Sequence, residues 1–241
     1  MEVLQSDSKP TIVLVHGAWA DGTSWQHVIP LLEQNGHTVV AVQIPLSSVA
    51  DDVTVTKRAL QLQQGPVVMA AHSYGGMVMS GAAAGMPNVK ALVYVAAFAP
   101  DANEAIGATI ATYPSTPLAT ALVPDSGGYL YIDRAKFHSA FCQDVPDAEA
   151  RIMNVVQKPL NASAFTDTLN SVAWKTIPSW YLVSQDDHAI HPDQERFYAK
   201  RMNATTREVK ASHVSLVSHP TEVAKLIEDA VHATTEALAV A

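Results

Sequence analysis

The chain has 241 residues, of which 48% are hydrophobic, and its formal net charge is −8 at pH 7. This length and apolar content suffice for one domain with a sizeable core, and the acidic balance excludes the basic surface that a nucleic-acid-binding protein needs. No stretch approaches the roughly 20 apolar residues of a membrane span, and the polar opening MEVLQSDSKP lacks the pattern of a secretion signal. We therefore expect a cytoplasmic protein that neither crosses a membrane nor binds nucleic acid.

Short β-rich runs alternate with helical patterns along most of the chain. The first run, TIVLVH, precedes a predicted helix that has Trp25, Val28, Ile29 and Leu32 on one face and Gly36 where it would end. The later runs are TVVAVQ, PVVMAA, ALVYVAA, WYLVSQ and the more polar TTREVKA, which suits an edge strand. Runs that are apolar throughout indicate strands covered on both faces. The alternation predicts an α/β fold with an open, mostly parallel six-stranded sheet flanked by helices.

The alternation is interrupted between residues 101 and 173. This segment contains loops such as YPSTP and PDSGG and one weak helical pattern, DAEARIMNVVQ. A structureless loop of this length is unusual inside a compact domain, so we predict a small helical cap packed over the sheet. The core then comprises residues 1–100 and 174–241, and the cap, or lid insertion, comprises residues 101–173.

A serine lies between a strand and a helix in the stretch VVMAAHSYGGMV. Ser73 follows the apolar run PVVMAA and precedes the helical pattern GGMVMSGAAAGM. A sharp turn at a nucleophilic serine needs small residues two positions before and after it, which here are Ala71 and Gly75. The usual pattern is G-x-S-x-G, from which this chain departs by one methyl group. The stretch predicts a nucleophile elbow, and the alternative is that Ser73 caps the following helix.

An acid and a base follow in the chain order that this kind of site requires. A serine hydroxyl becomes nucleophilic when an imidazole takes its proton, and an acid must fix the tautomer of that imidazole. Asp186 and Asp187 follow the run WYLVSQ, and His213 follows the run TTREVKA. Each therefore lies where its strand ends, in the order serine, acid, histidine. The residues predict a Ser-His-Asp triad with one of the two aspartates as the acid.

The segments IVLVHGAW, AHSYGG, DDHAIHP and SHVSLVSHP together resemble the α/β-hydrolase fold superfamily. The resemblance is to the small esterase group that includes plant methylesterases and S-selective hydroxynitrile lyases. It covers nearly the whole chain and is weakest in the cap. It implies that Ser73 is the nucleophile, His213 the base and Asp187 the acid, with Asp186 as the second choice. It also implies an oxyanion hole.

The oxyanion hole that the resemblance implies consists of two backbone N–H groups, those of Ala18 in the loop HGAW and of Tyr74. Gly17 would let that loop approach closely. Trp19 either walls the pocket or packs in the core, and the aromatic residues of the cap have the same two interpretations. The candidate substrate contacts are Gly17, Trp19, Phe137 and Phe141.

The remaining chemistry-bearing residues favour structural roles. We interpret His16 and His72 as locally hydrogen-bonded groups and the lone Cys142 as a buried filler. His219 is predicted to cap the helix that Pro220 opens. A divalent metal site is conceivable from one run of ligand-type residues, but the triad already uses that loop, so we expect no metal and no cofactor. That run comprises Asp186, Asp187, His188 and His191.

The resemblance leaves a choice of reaction. The lyase branch carries a lysine directly after the catalytic histidine and a threonine in the first oxyanion loop, whereas this chain has Val214 and Gly17. Both departures favour a serine hydrolase that cleaves a small carboxylic ester or lactone through an acyl-enzyme. A C–C lyase of the hydroxynitrile-lyase type and a non-catalytic small-molecule receptor are the alternatives. The expected partner is the small-molecule substrate, and a homodimer is one option for the oligomeric state.

Overall fold

A computed structural model of the protein describes residues 9–240. The opening residues on which the absence of a secretion signal was predicted lie mostly outside this range. Within it, the strands are β1 (Thr11–Val15), β2 (Val39–Val42), β3 (Val67–His72), β4 (Val89–Val95), β5 (Leu122–Pro124), β6 (Tyr129–Ile132), β7 (Leu160–Asn161), β8 (Ser179–Ser184) and β9 (Thr205–Val209).

The α-helices of the described range alternate with these strands. They are α1 (Ile29–Gln34), α2 (Val49–Gln61), α3 (Gly75–Ala82), α4 (Ile106–Ile110), α5 (Phe137–Phe141), α6 (Asp147–Val156), α7 (Pro192–Arg201), α8 (Ser215–Ser218) and α9 (Pro220–Val240). None of these helices is both long enough and apolar enough to cross a membrane.

The central sheet has six strands in the order β2-β1-β3-β4-β8-β9, and every neighbouring pair is parallel. Every residue of β3 and β8 is buried, as the apolar runs predict for strands covered on both faces. The more polar β9 lies at an edge of the sheet, as predicted. Helix α9 packs on β3, β4 and β8 and contacts α1, while α2 and α3 pack together. The predicted six-stranded α/β architecture is confirmed.

The first predicted helix is divided in the structure. A 3-10 turn spans Gly22–Trp25, and α1 begins only at Ile29, with Pro30 in its first turn. Proline has no N–H to donate and is tolerated only at the start of a helix, so the helix begins there. The prediction of one continuous helix was therefore wrong in extent. Its end was predicted correctly, since Gly36 has a φ of +78°.

The segment inserted between β4 and β8 contains a sheet as well as helices. Helices α4, α5 and α6 lie in it, together with an antiparallel sheet in the order β5-β6-β7. The cap therefore contains both helices and strands, whereas a helical cap was predicted. Its strands were not predicted because segments of two to four residues are too short to show a sequence period. Its backbone bonds to Leu46 through Asn161 and to His188 through Leu118, so it covers loops beyond the carboxyl ends of β2 and β8. The boundaries at residues 101 and 173 stay a prediction.

The sheet order creates a crevice at one place. The chain runs from β1 outward to β2 and then returns to β3 on the other side of β1. At such a switch point the loops after the two central strands separate and leave a crevice where ligands bind. The loop HGAW follows β1, and Ser73 follows β3. The fold therefore places both predicted parts of the site at the switch point.

Candidate active site

Ser73 lies on a strained turn between β3 and α3. Its φ of +54° belongs to the left-handed region that few non-glycine residues adopt. A Cβ on Gly75 would lie 2.5 Å from the carbonyl oxygen of His16, so only glycine fits at that position. Ala71, the small residue on the other side, is fully buried in β3. The strand and helix therefore meet as the predicted elbow requires, and the alanine is accommodated.

The side chain of Ser73 does not cap the helix. Helix α3 has no side-chain cap, and the Ser73 Oγ instead lies 2.8 Å from Nε2 of His213. The Nδ1 of the same ring lies 2.6 Å from Oδ2 of Asp187. Because a carboxylate only accepts, Nδ1–H donates to Asp187, and Nε2 is left to accept the Ser73 hydroxyl proton. The structure brings the three predicted side chains into one buried hydrogen-bonded array.

The two aspartates after β8 have different environments. Asp187 is buried, and its Oδ1 also accepts hydrogen bonds from the backbone N–H groups of Ala189, at 2.5 Å, and Ile190, at 2.9 Å. Asp186 is exposed. Successive side chains of an extended segment point to opposite sides, which turns Asp186 away from His213 when Asp187 faces it. The geometry therefore favours Asp187 over Asp186 as the partner of His213.

Two backbone N–H groups beside Ser73 are free to bind an anion. Ala18 and Tyr74 are both buried, and within residues 9–240 neither amide donates a hydrogen bond. The Tyr74 amide lies at the N-terminus of α3, where backbone donors point outward. The loop that carries Ala18 is close to the serine, since a Cβ built on Gly17 would lie only 2.8 Å from the Ser73 Cβ.

Aromatic side chains from the core and the cap surround His213. The ring centroid of Phe141 is 5.2 Å from that of His213, and the indole of Trp19 meets Phe141 edge-on at 6.1 Å. Phe137 packs behind Phe141 at 5.3 Å and is fully buried. Of the predicted contacts from the cap, Phe141 therefore borders the array and Phe137 supports it.

Trp19 connects the site with the cap. Its Nε1–H donates to the carbonyl oxygen of Leu130 at 2.8 Å, and its backbone has a φ of +56°. The residue also borders an apolar groove of about 450 Å³ between the 3-10 turn and α6, together with Val217 and Ile152. Trp19 therefore separates this groove from Phe141 and the array.

His16 and His72 are buried beside the array and are held by backbone groups. His16 Nδ1 donates to the Gly17 carbonyl at 2.8 Å, and its Nε2 accepts the Ile44 N–H at 3.1 Å. Burial lowers the pKa of His16 to about 4, and burial also holds the pKa of His72 well below its ordinary value. His72 Nε2 donates to the carbonyl oxygen of His213 at 2.9 Å. Both rings are neutral near pH 7, in agreement with structural roles.

Tyr74 is fixed by a buried acid that sequence analysis missed. The Tyr74 hydroxyl donates to Oδ2 of Asp52 at 2.7 Å, and Oδ1 of Asp52 accepts the N–H of Leu46 at 2.7 Å. Burial raises the pKa of Asp52 above its ordinary value. The signal was present in α2, where Asp52, Thr56 and Leu60 recur every four residues on its buried face.

The cap ties together the two loops that carry the acid and the base. Asp144 Oδ2 accepts the N–H of Ser212, next to His213, at 2.8 Å. Gln143 Nε2 donates to the carbonyl oxygen of Asp186 at 2.6 Å. Both residues follow α5, in a stretch where no sequence period distinguished them. They join loops that lie 26 residues apart in the chain.

The remaining cysteine and histidine side chains considered in the sequence analysis lie apart from the array. Cys142 is buried, and burial raises the pKa of its thiol to about 12, which leaves it protonated and unreactive. His188 bonds to Ser139, and His191 Nδ1 accepts the N–H of Asp193, so these rings do not converge with Asp187. No group of three or more metal-ligating side chains occurs in the described part of the chain. The His219 side chain bonds to Ser218, and the His219 carbonyl oxygen accepts the N–H of Val223 in the first turn of the helix that Pro220 opens.

The fold and the site together define a class of protein. A serine on a strained strand-to-helix turn, at the switch point of a parallel sheet and next to a buried histidine and aspartate, is the arrangement of the α/β-hydrolase fold. The sequence profile of the alpha/beta hydrolase family matches residues 12–226. The chain therefore belongs to the alpha/beta hydrolase family.

Individual relatives agree with this assignment. Methylesterase 8 of Arabidopsis thaliana is 26% identical over 212 residues, covering 78% of this chain and 76% of the relative. The alpha/beta hydrolase nvfD of Aspergillus novofumigatus is 25% identical over 245 residues, covering 92% and 96%. The crystal structure of a pyrethroid hydrolase from Sphingobium faniae superposes with a TM-score of 0.80 at 23% identity, covering 94% of this chain and 99% of that one.

Proposed function

We propose that this protein is a serine carboxylesterase that cleaves a small carboxylic ester or lactone through an acyl-enzyme on Ser73. The observation that carries the proposal is the hydrogen-bonded array of Ser73, His213 and Asp187 on a strained elbow. A serine held in this way is activated by the adjacent imidazole.

The proposed reaction has two halves. In the first, Ser73 Oγ attacks the ester carbonyl carbon while His213 Nε2 takes the hydroxyl proton, and Asp187 stabilises the resulting imidazolium. The tetrahedral intermediate collapses, the C–O bond to the alcohol breaks, and His213 donates its proton to the departing alkoxide. In the second half, a water gives its proton to His213 and attacks the acyl carbon, which releases the acid and restores the Ser73 hydroxyl.

The developing oxyanion has two donors in this proposal, the backbone N–H groups of Ala18 and Tyr74. Both are buried and unpartnered within residues 9–240, and both lie beside Ser73. Donors of this kind stabilise the transition state because they are already oriented before charge develops. Loss of one donor typically lowers the rate about 100- to 1,000-fold.

A small, uncharged ester fits the surroundings of Ser73. The serine is only 3% exposed, and Phe141 and Trp19 bring apolar ring surfaces to the array. Val214, next to His213, is also buried and apolar. Methylesterase 8 carries a name of ester cleavage, which supports the same bond type here.

Hydroxynitrile-lyase chemistry on the same array is the second candidate. Val214 and Gly17 replace the lysine and threonine that such lyases carry, so this chain lacks the cation that would stabilise leaving cyanide. Turnover of p-nitrophenyl acetate and cleavage of mandelonitrile should be measured on one preparation. We expect ester turnover without cyanide release, and cyanide release alone would overturn the proposal.

The activated serine is tested without knowledge of the natural substrate. Intact mass after treatment with a fluorophosphonate should show one adduct on the wild type and none on Ser73→Ala. A folded wild type that forms no adduct would favour the receptor alternative, which predicts tight binding of a small molecule with negligible turnover.

The two adjacent aspartates provide a matched pair for the acid. Asp187→Asn should lower kcat about 10,000-fold, because the amide stabilises the wrong tautomer of His213. Asp186→Asn should leave kcat within about threefold, because its side chain is exposed and does not orient the imidazole. A large loss for Asp186→Asn with a small one for Asp187→Asn would reassign the acid.

A further inference from the structure

A second carboxyl group is buried behind the array. Glu195 lies on the face of α7 that packs against β8, and it is fully buried. Its Oε2 accepts the backbone N–H of Ser184 at 3.0 Å. The carbonyl oxygen of the same Ser184 accepts the N–H of Asp187 at 3.3 Å. One residue at the end of β8 therefore holds both carboxyl-bearing residues.

The other oxygen of Glu195, Oε1, accepts no hydrogen bond from any donor in the described part of the chain. Glu195 and Asp187 are both buried and are both bonded to Ser184, so the Asp187 carboxyl is the acidic neighbour of Glu195. Two neighbouring buried carboxylates repel one another, so the arrangement is favourable only if one of the two groups is protonated. A buried carboxyl oxygen that accepts no hydrogen bond is the one that can carry the proton.

Within residues 9–240, Glu195 takes part in no salt bridge. The guanidinium of Arg196, the next residue in α7, is partly exposed and is bonded to Glu208 and Asp193 instead. Tyr181, on β8, donates its hydroxyl to the carbonyl oxygen of Ala97. Burial raises the pKa of Glu195 well above its ordinary value, and the negative charge of Asp187 raises it further. The proton of the pair therefore belongs to Glu195, because Asp187 already accepts three hydrogen bonds as a carboxylate.

We propose that Glu195 is a positioning residue that keeps its proton at neutral pH and donates a hydrogen bond from Oε1 to Asp187. The bond adds a fourth donor to a carboxylate that must hold His213 in one orientation. It also leaves a single negative charge in the buried pair. The effect on turnover rests on the proposed function, whereas the protonation state of Glu195 does not.

The protonation state is tested by infrared spectroscopy of the intact protein. At pH 7 the difference spectrum between the wild type and Glu195→Gln should contain the carbonyl stretch of one protonated carboxylic acid. A difference spectrum is needed because the buried Asp52 can contribute a band to both proteins. Glu208→Gln is the matched control on the neighbouring strand, since Arg196 lowers the pKa of Glu208 to about 2 and no acid band should disappear. An unchanged acid band in Glu195→Gln would overturn the proposal.

The positioning role is tested by the pH dependence of kcat/KM for p-nitrophenyl acetate. Glu195→Gln retains an acceptor for Ser184 and an N–H donor for Asp187, so kcat should stay within about threefold and the acid limb within about 0.3 pH unit. Glu195→Leu removes both bonds and should lower kcat about 10- to 100-fold. If Glu195 were ionised, loss of its charge in Glu195→Gln would move the acid limb to lower pH by about one unit.

Failure of the positioning role of Glu195 can be told apart from failure of the proposed function. Full activity of Glu195→Leu would refute the positioning role even if the acid band is present. If Ser73→Ala retained esterase activity, the proposed function would fail while the infrared result on Glu195 would still stand. Should Glu195→Leu not fold, the isosteric Glu195→Gln still tests whether Glu195 is protonated, through the infrared band and the position of the acid limb.

Discussion

The close approach of the HGAW loop to the elbow can be tested with one methyl group. In Gly17→Ala the new Cβ would lie 2.8 Å from the Ser73 Cβ and 3.0 Å from Nδ1 of His72. Carbon atoms in good contact are about 3.5 to 4.0 Å apart, so the loop must move away from the serine by about 0.7 Å. The Ala18 amide moves with it, because it is the next residue.

The magnitude follows from this displacement. An oxyanion donor acts at 2.7 to 3.1 Å, a window narrower than the required shift, so Gly17→Ala should lower kcat about 100-fold. Overpacking should lower the free energy of unfolding by about 1 to 3 kcal/mol. The measurements are kcat for p-nitrophenyl acetate and the midpoint of thermal unfolding.

Gly127→Ala is the control for introducing a methyl group. Gly127 lies in the exposed turn between β5 and β6, and the nearest atom to its added Cβ is a flexible carboxylate oxygen of Asp125 at 3.3 Å. Its kcat should equal that of the wild type. A Gly17→Ala protein that is folded and has a kcat within about threefold of the wild type would refute the role of the loop, because a lost donor costs far more.

Three further predictions follow from buried groups. Burial lowers the pKa of His16 from about 6.5 in the unfolded chain to about 4 in the folded protein. The contribution of neutral His16 to stability is therefore complete above pH 6.5 and is lost as the pH falls toward 4, by up to about 3 kcal/mol. Urea unfolding of His16→Gln should accordingly depend less on pH across that window. Tyr74→Phe leaves a buried oxygen of Asp52 without its donor and should lower the free energy of unfolding by about 1 to 3 kcal/mol at pH 7. The control is Tyr131→Phe, because the ring of Tyr131 is exposed. Trp19→Ala should destabilise the fold by about 3 to 5 kcal/mol. Loss of the indole would also join the apolar groove to the array, so kcat/KM for p-nitrophenyl hexanoate should rise relative to kcat/KM for the acetate. An unchanged ratio of these two kcat/KM values would contradict that connection.

The parts of the fold that the sequence predicts are those with strong local signals. Runs of six or seven residues, five of them mainly apolar and the sixth more polar, identified all six strands of the central sheet. Ser73 could be recognised because it directly follows β3, and His213 because it lies in the loop after β9. Their juxtaposition could be inferred because parallel strands end at one edge of a sheet. The choice between Asp186 and Asp187 needed a known family pattern, since both are acids on adjacent positions.

The parts that could not be predicted depend on contacts between distant segments. The cap sheet has strands of two to four residues, and its pairing of Leu130 with Leu160 brings together residues 30 positions apart. On α7 the charged residue Glu195 is buried and the apolar residue Phe197 is exposed. This is the reverse of what their polarity predicts. Its burial could be read only from the spacing to Tyr198 and Ala199, which share its face.

The hydrogen bonds from Asp144 to Ser212 and from Gln143 to Asp186 constrain how the cap can be re-engineered. Swapping residues 101–173 for the cap of a relative is an obvious way to change substrate preference, since the segment is one continuous insertion. Such a chimera would discard the cap side chains Gln143 and Asp144, which fasten the loops of the acid and the base to one another. A graft that keeps residues 137–145 of this chain should preserve turnover, whereas a complete exchange should lose it even when the new cap folds.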